Sequence, residues 1–148
     1  MINIMFVCHG NICRSPMAEY VMRDLVNKSG CEKDINVSSS ATSYEEIGNP
    51  VHRGTVKILA ANGIPFSQRS AVKLKASDYE KFDYIIGMDE ANIRNILRIS
   101  GGDPEQKVFK LLDFCGGGDV ADPWYTGDFE CTYRDVARGC RSLLSKLI

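Results

Sequence analysis

Ile2-Asn3-Ile4-Met5-Phe6-Val7-Cys8-His9-Gly10-Asn11-Ile12-Cys13-Arg14-Ser15-Pro16 is the stretch whose reading decides the fold. Residues 2–7 have the apolar, β-branched composition of a fully buried strand. Ser15 followed by Pro16 reads as an N-cap and first helical position. Gly10 and Asn11, between them, are residues that accept positive φ without strain. A strand that turns through such a loop straight into a helix aims several backbone N–H groups and the positive helix end at one point. The predicted feature is an anion site.

Two side chains narrow the chemistry. A thiol held against a helix N-terminus and beside a guanidinium is drawn toward its thiolate, which marks Cys8 as a nucleophile. Arg14 closes the loop with a planar fork suited to two oxygens of a phosphate. The commoner nucleotide loop, G-x-x-x-x-G-K-[ST], needs a Lys and a second Gly that are absent here. The competing reading of the same residues is a buried structural Cys followed by an ordinary helix cap.

Working outward, the 148 residues carry a formal net charge of −1 and 44% apolar residues, which fits one domain with a sizeable core. No basic stripe points to nucleic acid, and no long apolar run could span a membrane. No basic segment followed by an apolar core marks a signal peptide, so a cytoplasmic protein with reduced thiols is expected despite six cysteines. His9 and His52 read as ordinary loop residues. No His, Cys and carboxylate set has metal-ligand spacing, so no metal or cofactor is expected.

After Pro16, Met17, Tyr20, Val21 and Leu25 recur at helical spacing until Ser29-Gly30. Ile35 to Val37 predicts a short strand, with Ser38, Ser39 and Ser40 beyond it as partners for the phosphate loop or as a plain turn. Residues 44–50 read as a loop, 53–62 as a helix, and 77–81 as a short helix. Strands are predicted over 82–88 and 108–112, with a helix between them from Asp89-Glu90 to Leu97. Asp89 suits a helix N-terminus as a carboxylate. Phe114 to Val120, with three consecutive glycines, predicts a mobile loop, and Asp122-Pro123-Trp124-Tyr125 an exposed connection to a last helix capped by Asp128. The pattern gives a single α/β domain over residues 1–148: a four-stranded parallel sheet with helices on both faces and the phosphate-binding loop after the first strand. In such a sheet the site lies beyond the C-terminal strand ends, where Cys8, the serines and Asp89 all fall.

Cys8 to Pro16 taken with Asp122 to Tyr125 resembles the low-molecular-weight protein tyrosine phosphatases. The likeness extends through Ala41-Thr-Ser, Ile47-Gly-Asn-Pro50, Gly63-Ile-Pro65, Phe82-Asp-Tyr-Ile85 and Met88-Asp-Glu90. The resemblance implies that Cys8 is the nucleophile, Arg14 binds the transferring phosphoryl group and Asp122 is the general acid. It implies a phosphate loop of His9, Gly10, Asn11, Ile12, Cys13 and Ser15, with Ser15 hydrogen-bonding the thiolate. It also implies a cleft wall from Trp124, Tyr125 and either Tyr44 or Glu45, and a monomer acting on phosphotyrosine proteins and releasing inorganic phosphate. From the residues alone, Asp122-Pro123 is equally a turn former, and Trp124 and Tyr125 are equally half-buried loop aromatics.

Cys13 reads either as a small buried hydrophobe or, by the resemblance, as a redox partner of Cys8. Ile12 stands where related protein-arginine phosphatases typically carry Thr, which favours an aryl phosphate. A family His after Gly-Ile-Pro has no counterpart near Gln68, which implies different hydrogen-bond support for Asp89. Thiol-linked arsenate reductase shares the loop but needs shuttle cysteines mid-chain, where Cys31, Cys115, Cys131 and Cys140 do not lie. A redox or anion-binding module without turnover would leave Asp122 dispensable.

Overall fold

Strand β1 (Ile2–Cys8) is central because it is apolar on both faces. Ile4 and Phe6 enter the larger core, whereas Met5 and Val7 point into a second, smaller one. The computed structural model, covering residues 1–148, places β1 between β2 (Ile35–Ala41) and β3 (Tyr84–Gly87), with β4 (Val108–Lys110) outside β3. All pairings are parallel, so both faces need cover. Helices α1 (Arg14–Lys28) and α6 (Phe129–Leu147) close the larger core through Met17, Val21, Val136 and Leu143. The short α3 (Asp78–Lys81) and α4 (Glu90–Ser100) close the smaller one through Tyr79 and Ile96. Helix α2 (Arg53–Ala61) adds Leu59 to the first. No helix is long and apolar enough to cross a membrane.

The strand order β2-β1-β3-β4 reverses direction between β1 and β3. The loop leaving β1 therefore opens into the crevice where parallel sheets take their ligands.

Four local readings change. Helix α1 begins at Arg14 with Cys13 as its N-cap residue and no side-chain cap, so Ser15 and Pro16 are its second and third residues. Ser15 is spent on the sulfur of Cys8 instead, and Pro16 costs nothing because first-turn N–H groups have no intrahelical partner. β2 continues through its serines to Ala41, because register with Met5 to Cys8 outweighs their weak strand preference. β4 stops at Lys110: Leu111 and Leu112 turn into a 3-10 segment (Leu111–Cys115) that buries both against the core. A Cβ at Gly139 of α6 would lie 2.6 Å from Leu111, so this contact requires glycine. The glycine loop that follows is anchored at its far end, where Val120 is buried and its N–H meets the Met88 carbonyl at 2.9 Å.

Candidate active site

The loop from Cys8 to Arg14 curls around an open pocket. Asn11 has φ +59, the left-handed turn its residue type allows, whereas Gly10 does not adopt positive φ. With that turn the Asn11 N–H faces Cys8 Sγ at 3.3 Å, and the Ser15 hydroxyl lies 3.1 Å from the same sulfur. Cys8, His9, Gly10, Ile12, Cys13 and Arg14 line the pocket from one side. Asn11 and Ser15 stand behind the loop, fully buried, as its support.

Arg14 is 2% exposed, and both terminal nitrogens of its fork are held in place. One nitrogen donates to Asp89 Oδ2 at 2.7 Å and to the Val120 carbonyl at 3.0 Å; the other donates to Asp122 Oδ2 at 3.3 Å. Burial alone would lower the pKa of Arg14, but the Cys8 sulfur, the Asp89 hydrogen bond and the charge of Asp122 outweigh it and raise it. The guanidinium is a fixed positive charge beside the thiol. Asp89 fills the helix-cap role read for it and adds one that was not: Oδ1 accepts from the Asn92 N–H at 2.8 Å as the cap of α4, while Oδ2 holds Arg14. Asp122 likewise caps a four-residue turn, α5 (Pro123–Thr126), accepting from Trp124 N–H at 3.1 Å, within what was expected as an exposed connection. The Asp-Pro turn and the acid near the thiol are one feature.

The far wall is made by Glu45, Glu46, Trp124 and Tyr125. Between Tyr44 and Glu45, the chain brings Glu45 into the pocket: Ser43 is tied to the His9 carbonyl through N–H and hydroxyl, and Glu45 meets His9 Nε2 at 2.7 Å. Tyr44 is not part of the wall; it is 78% exposed, with Lys73 Nζ 4.8 Å from its ring centre. His9 is thus more than a passing loop residue. Glu46 had no distinguishing signal in the sequence.

A buried polar network behind the loop was only partly legible. Asn11 Nδ2 donates to Ser15 at 2.7 Å and Ser39 at 3.0 Å, so one of the three serines does reach the loop. Asn11 Oδ1 accepts from Arg69 at 2.9 Å and from the Val72 N–H at 3.1 Å. Arg69 also donates to Ser39 and, at 3.1 Å, to Glu19, which accepts further from Ser39 and from Arg23 at 2.6 Å. The segment after Gly-Ile-Pro therefore supports Asn11 through Arg69 and not Asp89; Gln68 accepts the Val51 N–H at 3.3 Å. Arg69→Met would leave the buried Glu19 carboxylate with one cation and Asn11 Oδ1 with one donor. A loss of about 3 kcal/mol is expected, read as a lower urea midpoint at unchanged m, with part of it restored in Arg69→Lys.

All six cysteines are free. A thiol, a buried guanidinium and a carboxylic acid converge on one pocket at the reversal point of a parallel sheet, and the class so defined is a phosphatase. The family model described as low molecular weight phosphotyrosine protein phosphatase matches residues 3–148. The low molecular weight protein-tyrosine-phosphatase YfkJ of Bacillus subtilis is 42% identical over 99% of this chain and 96% of its own length. Its crystal structure superposes with a TM-score of 0.95, covering 99% of this chain and 94% of that one. PtpA of Staphylococcus aureus (strain MRSA252), named likewise, is 41% identical over all of this chain and 95% of its own. The structure of SP-PTP, a low molecular weight protein tyrosine phosphatase from Streptococcus pyogenes, matches with a TM-score of 0.91 at 42% identity, over 100% of this chain and 94% of that one. The chain belongs to the low molecular weight protein tyrosine phosphatase family.

Proposed function

We propose that the chain hydrolyses phosphotyrosine in proteins through a phosphocysteine at Cys8. The observation that carries this reading is the placement of Cys8, Arg14 and Asp122 around one pocket. The Cys8 thiolate attacks phosphorus while the phosphorus–phenol oxygen bond breaks, and Asp122 gives its proton to the departing oxygen. Water then attacks phosphorus, Asp122 takes its proton, the sulfur–phosphorus bond breaks and inorganic phosphate leaves. Charge spread over the equatorial oxygens is met by the loop N–H groups and the Arg14 fork. The fork nitrogen now 3.3 Å from Asp122 is the one a phosphoryl oxygen takes over, which frees the acid for the leaving group. Ile12, Trp124 and Tyr125 give the phenyl ring apolar walls.

The test is hydrolysis of a phosphotyrosine peptide, phosphoarginine and para-nitrophenyl phosphate, each in EDTA. Preference for the peptide over phosphoarginine is expected. Preference for phosphoarginine would move the assignment to a protein-arginine phosphatase, and a folded protein inert toward all three would leave arsenate with a thiol reductant as the reaction to try.

Cys13 carries a redox role in this reading. Burial, with the Cys8 sulfur second, pushes its thiol up to about 12. A pKa raised this far leaves Cys13 protonated at neutral pH, so iodoacetamide at pH 7 is expected to alkylate Cys8 and spare Cys13. Peroxide converts Cys8 to an uncharged sulfenic acid, which removes one of the two main effects holding Cys13 protonated. Attack by Cys13 then forms the disulfide and releases water. Mild peroxide should inactivate wild type reversibly by dithiothreitol and Cys13→Ser irreversibly; equal recovery of both assigns Cys13 to packing alone.

A further inference from the structure

One residue outside the pocket joins its two halves. The His52 N–H donates to the Ile12 carbonyl of the phosphate loop at 2.8 Å. Its ring lies over Phe129, centroids 5.2 Å apart and planes 18° apart, and meets Trp124 edge-on at 5.8 Å and 78°. Phe129 is itself fixed: it packs on Ile12, Cys13 and Ala71, and it lies so close over Gly54 that a Cβ there would come within 2.4 Å of its ring. Trp124 sits on the four-residue turn α5 and is 58% exposed. The rigid reference for its ring is therefore the stack Phe129–His52, which rests on the phosphate loop.

Resting on the phosphotyrosine reading above, we propose that His52 is a positioning residue that sets the distance of the Trp124 wall from the phosphate loop, and so determines how well the site grips an aryl group. In that reading the wall faces the aryl group, while the phosphate loop and Arg14 hold the phosphoryl group. His52 should thus act on binding of aryl esters and leave the handling of the phosphate and the chemical steps alone.

The test uses His52→Asn. His52 Nδ1 caps α2 by accepting the Gly54 N–H at 3.0 Å, and Asn is among the best cap residues, so the cap is kept and only the ring is lost. Losing one aromatic contact from the wall is expected to raise KM for para-nitrophenyl phosphate and phosphotyrosine peptide roughly three- to tenfold. kcat and the inhibition constant of inorganic phosphate should stay within about twofold of wild type. Trp124 is the only tryptophan in the chain, so its emission reads the wall directly and should shift to the red. Unchanged KM with unchanged emission overturns the proposal. So does a phosphate constant that worsens in step with KM, which would place the effect in the Ile12 contact. If wild type turned over no phosphomonoester, the phosphatase reading would fail. The positioning claim would still be decided by emission: a red shift with intact phosphate binding supports it, and no shift overturns it.

Discussion

Cys8→Ser is expected to lose turnover of every phosphomonoester by on the order of 10⁴-fold or more while still binding inorganic phosphate. The loss follows from the nucleophile: a hydroxyl at this position has no general base beside it, since its neighbours are the Asn11 N–H at 3.3 Å and the Ser15 hydroxyl at 3.1 Å. Those groups suit an anionic sulfur and do nothing to deprotonate an alcohol. The binding should persist because the phosphate-facing parts are elsewhere, in the loop N–H groups and the buried Arg14 fork. Folding should persist too, as a buried serine hydroxyl inherits the same two partners and leaves no polar group unpaired. Phosphate titration by calorimetry together with the rate on para-nitrophenyl phosphate checks both halves. A variant with substantial turnover would remove Cys8 from the chemistry.

Asp122→Ala is expected to lower kcat on phosphotyrosine roughly 10²–10⁴-fold, and less on para-nitrophenyl phosphate, whose leaving group departs more readily without a proton. The substitution has two side effects to separate from catalysis. It removes the cap of α5 at the Trp124 N–H, and it releases one nitrogen of Arg14. Asp122→Asn keeps an oxygen to cap the Trp124 N–H, places an amide NH2 where Oδ2 faced Arg14, and cannot act as an acid. A similar loss in both variants, steeper for the poorer leaving group, assigns the effect to proton transfer. Loss in Ala but not in Asn would assign it to the scaffold.

The part of the site held in one contiguous stretch was readable before the fold. Strand, turn-prone Asn11, Cys8 and Arg14 lie within one run, and each local preference points to the same geometry. Asp122 was readable as a motif, though its distance from Arg14 was not. What escaped was set by tertiary contact. Arg69 is 58 residues from Asn11, in a polar segment without periodicity, and only the closed fold brings them to 2.9 Å. His52 looked like any loop residue because its role lies in two ring contacts with residues 72 and 77 positions away. Ser15 lies 3.1 Å from the sulfur, as the family resemblance implied, and only its reading as a helix cap failed. Tyr44 and Glu45 differed only by which way one loop turned after Ser43.

The segment that brings Arg69 to the loop also closes the outer margin of β2. Ala41 donates to the Val72 carbonyl and accepts from the Leu74 N–H, each at 2.8 Å, and Arg23 occupies the Val37 carbonyl at 2.9 Å. At the opposite margin, β4 is three residues long. The sheet thus has one edge tied off at its pocket end and another too short to template a long added strand. With these margins blunted, a phosphorylated segment is expected to be recognised more through side chains around the pocket mouth than by adding itself to the sheet as a strand.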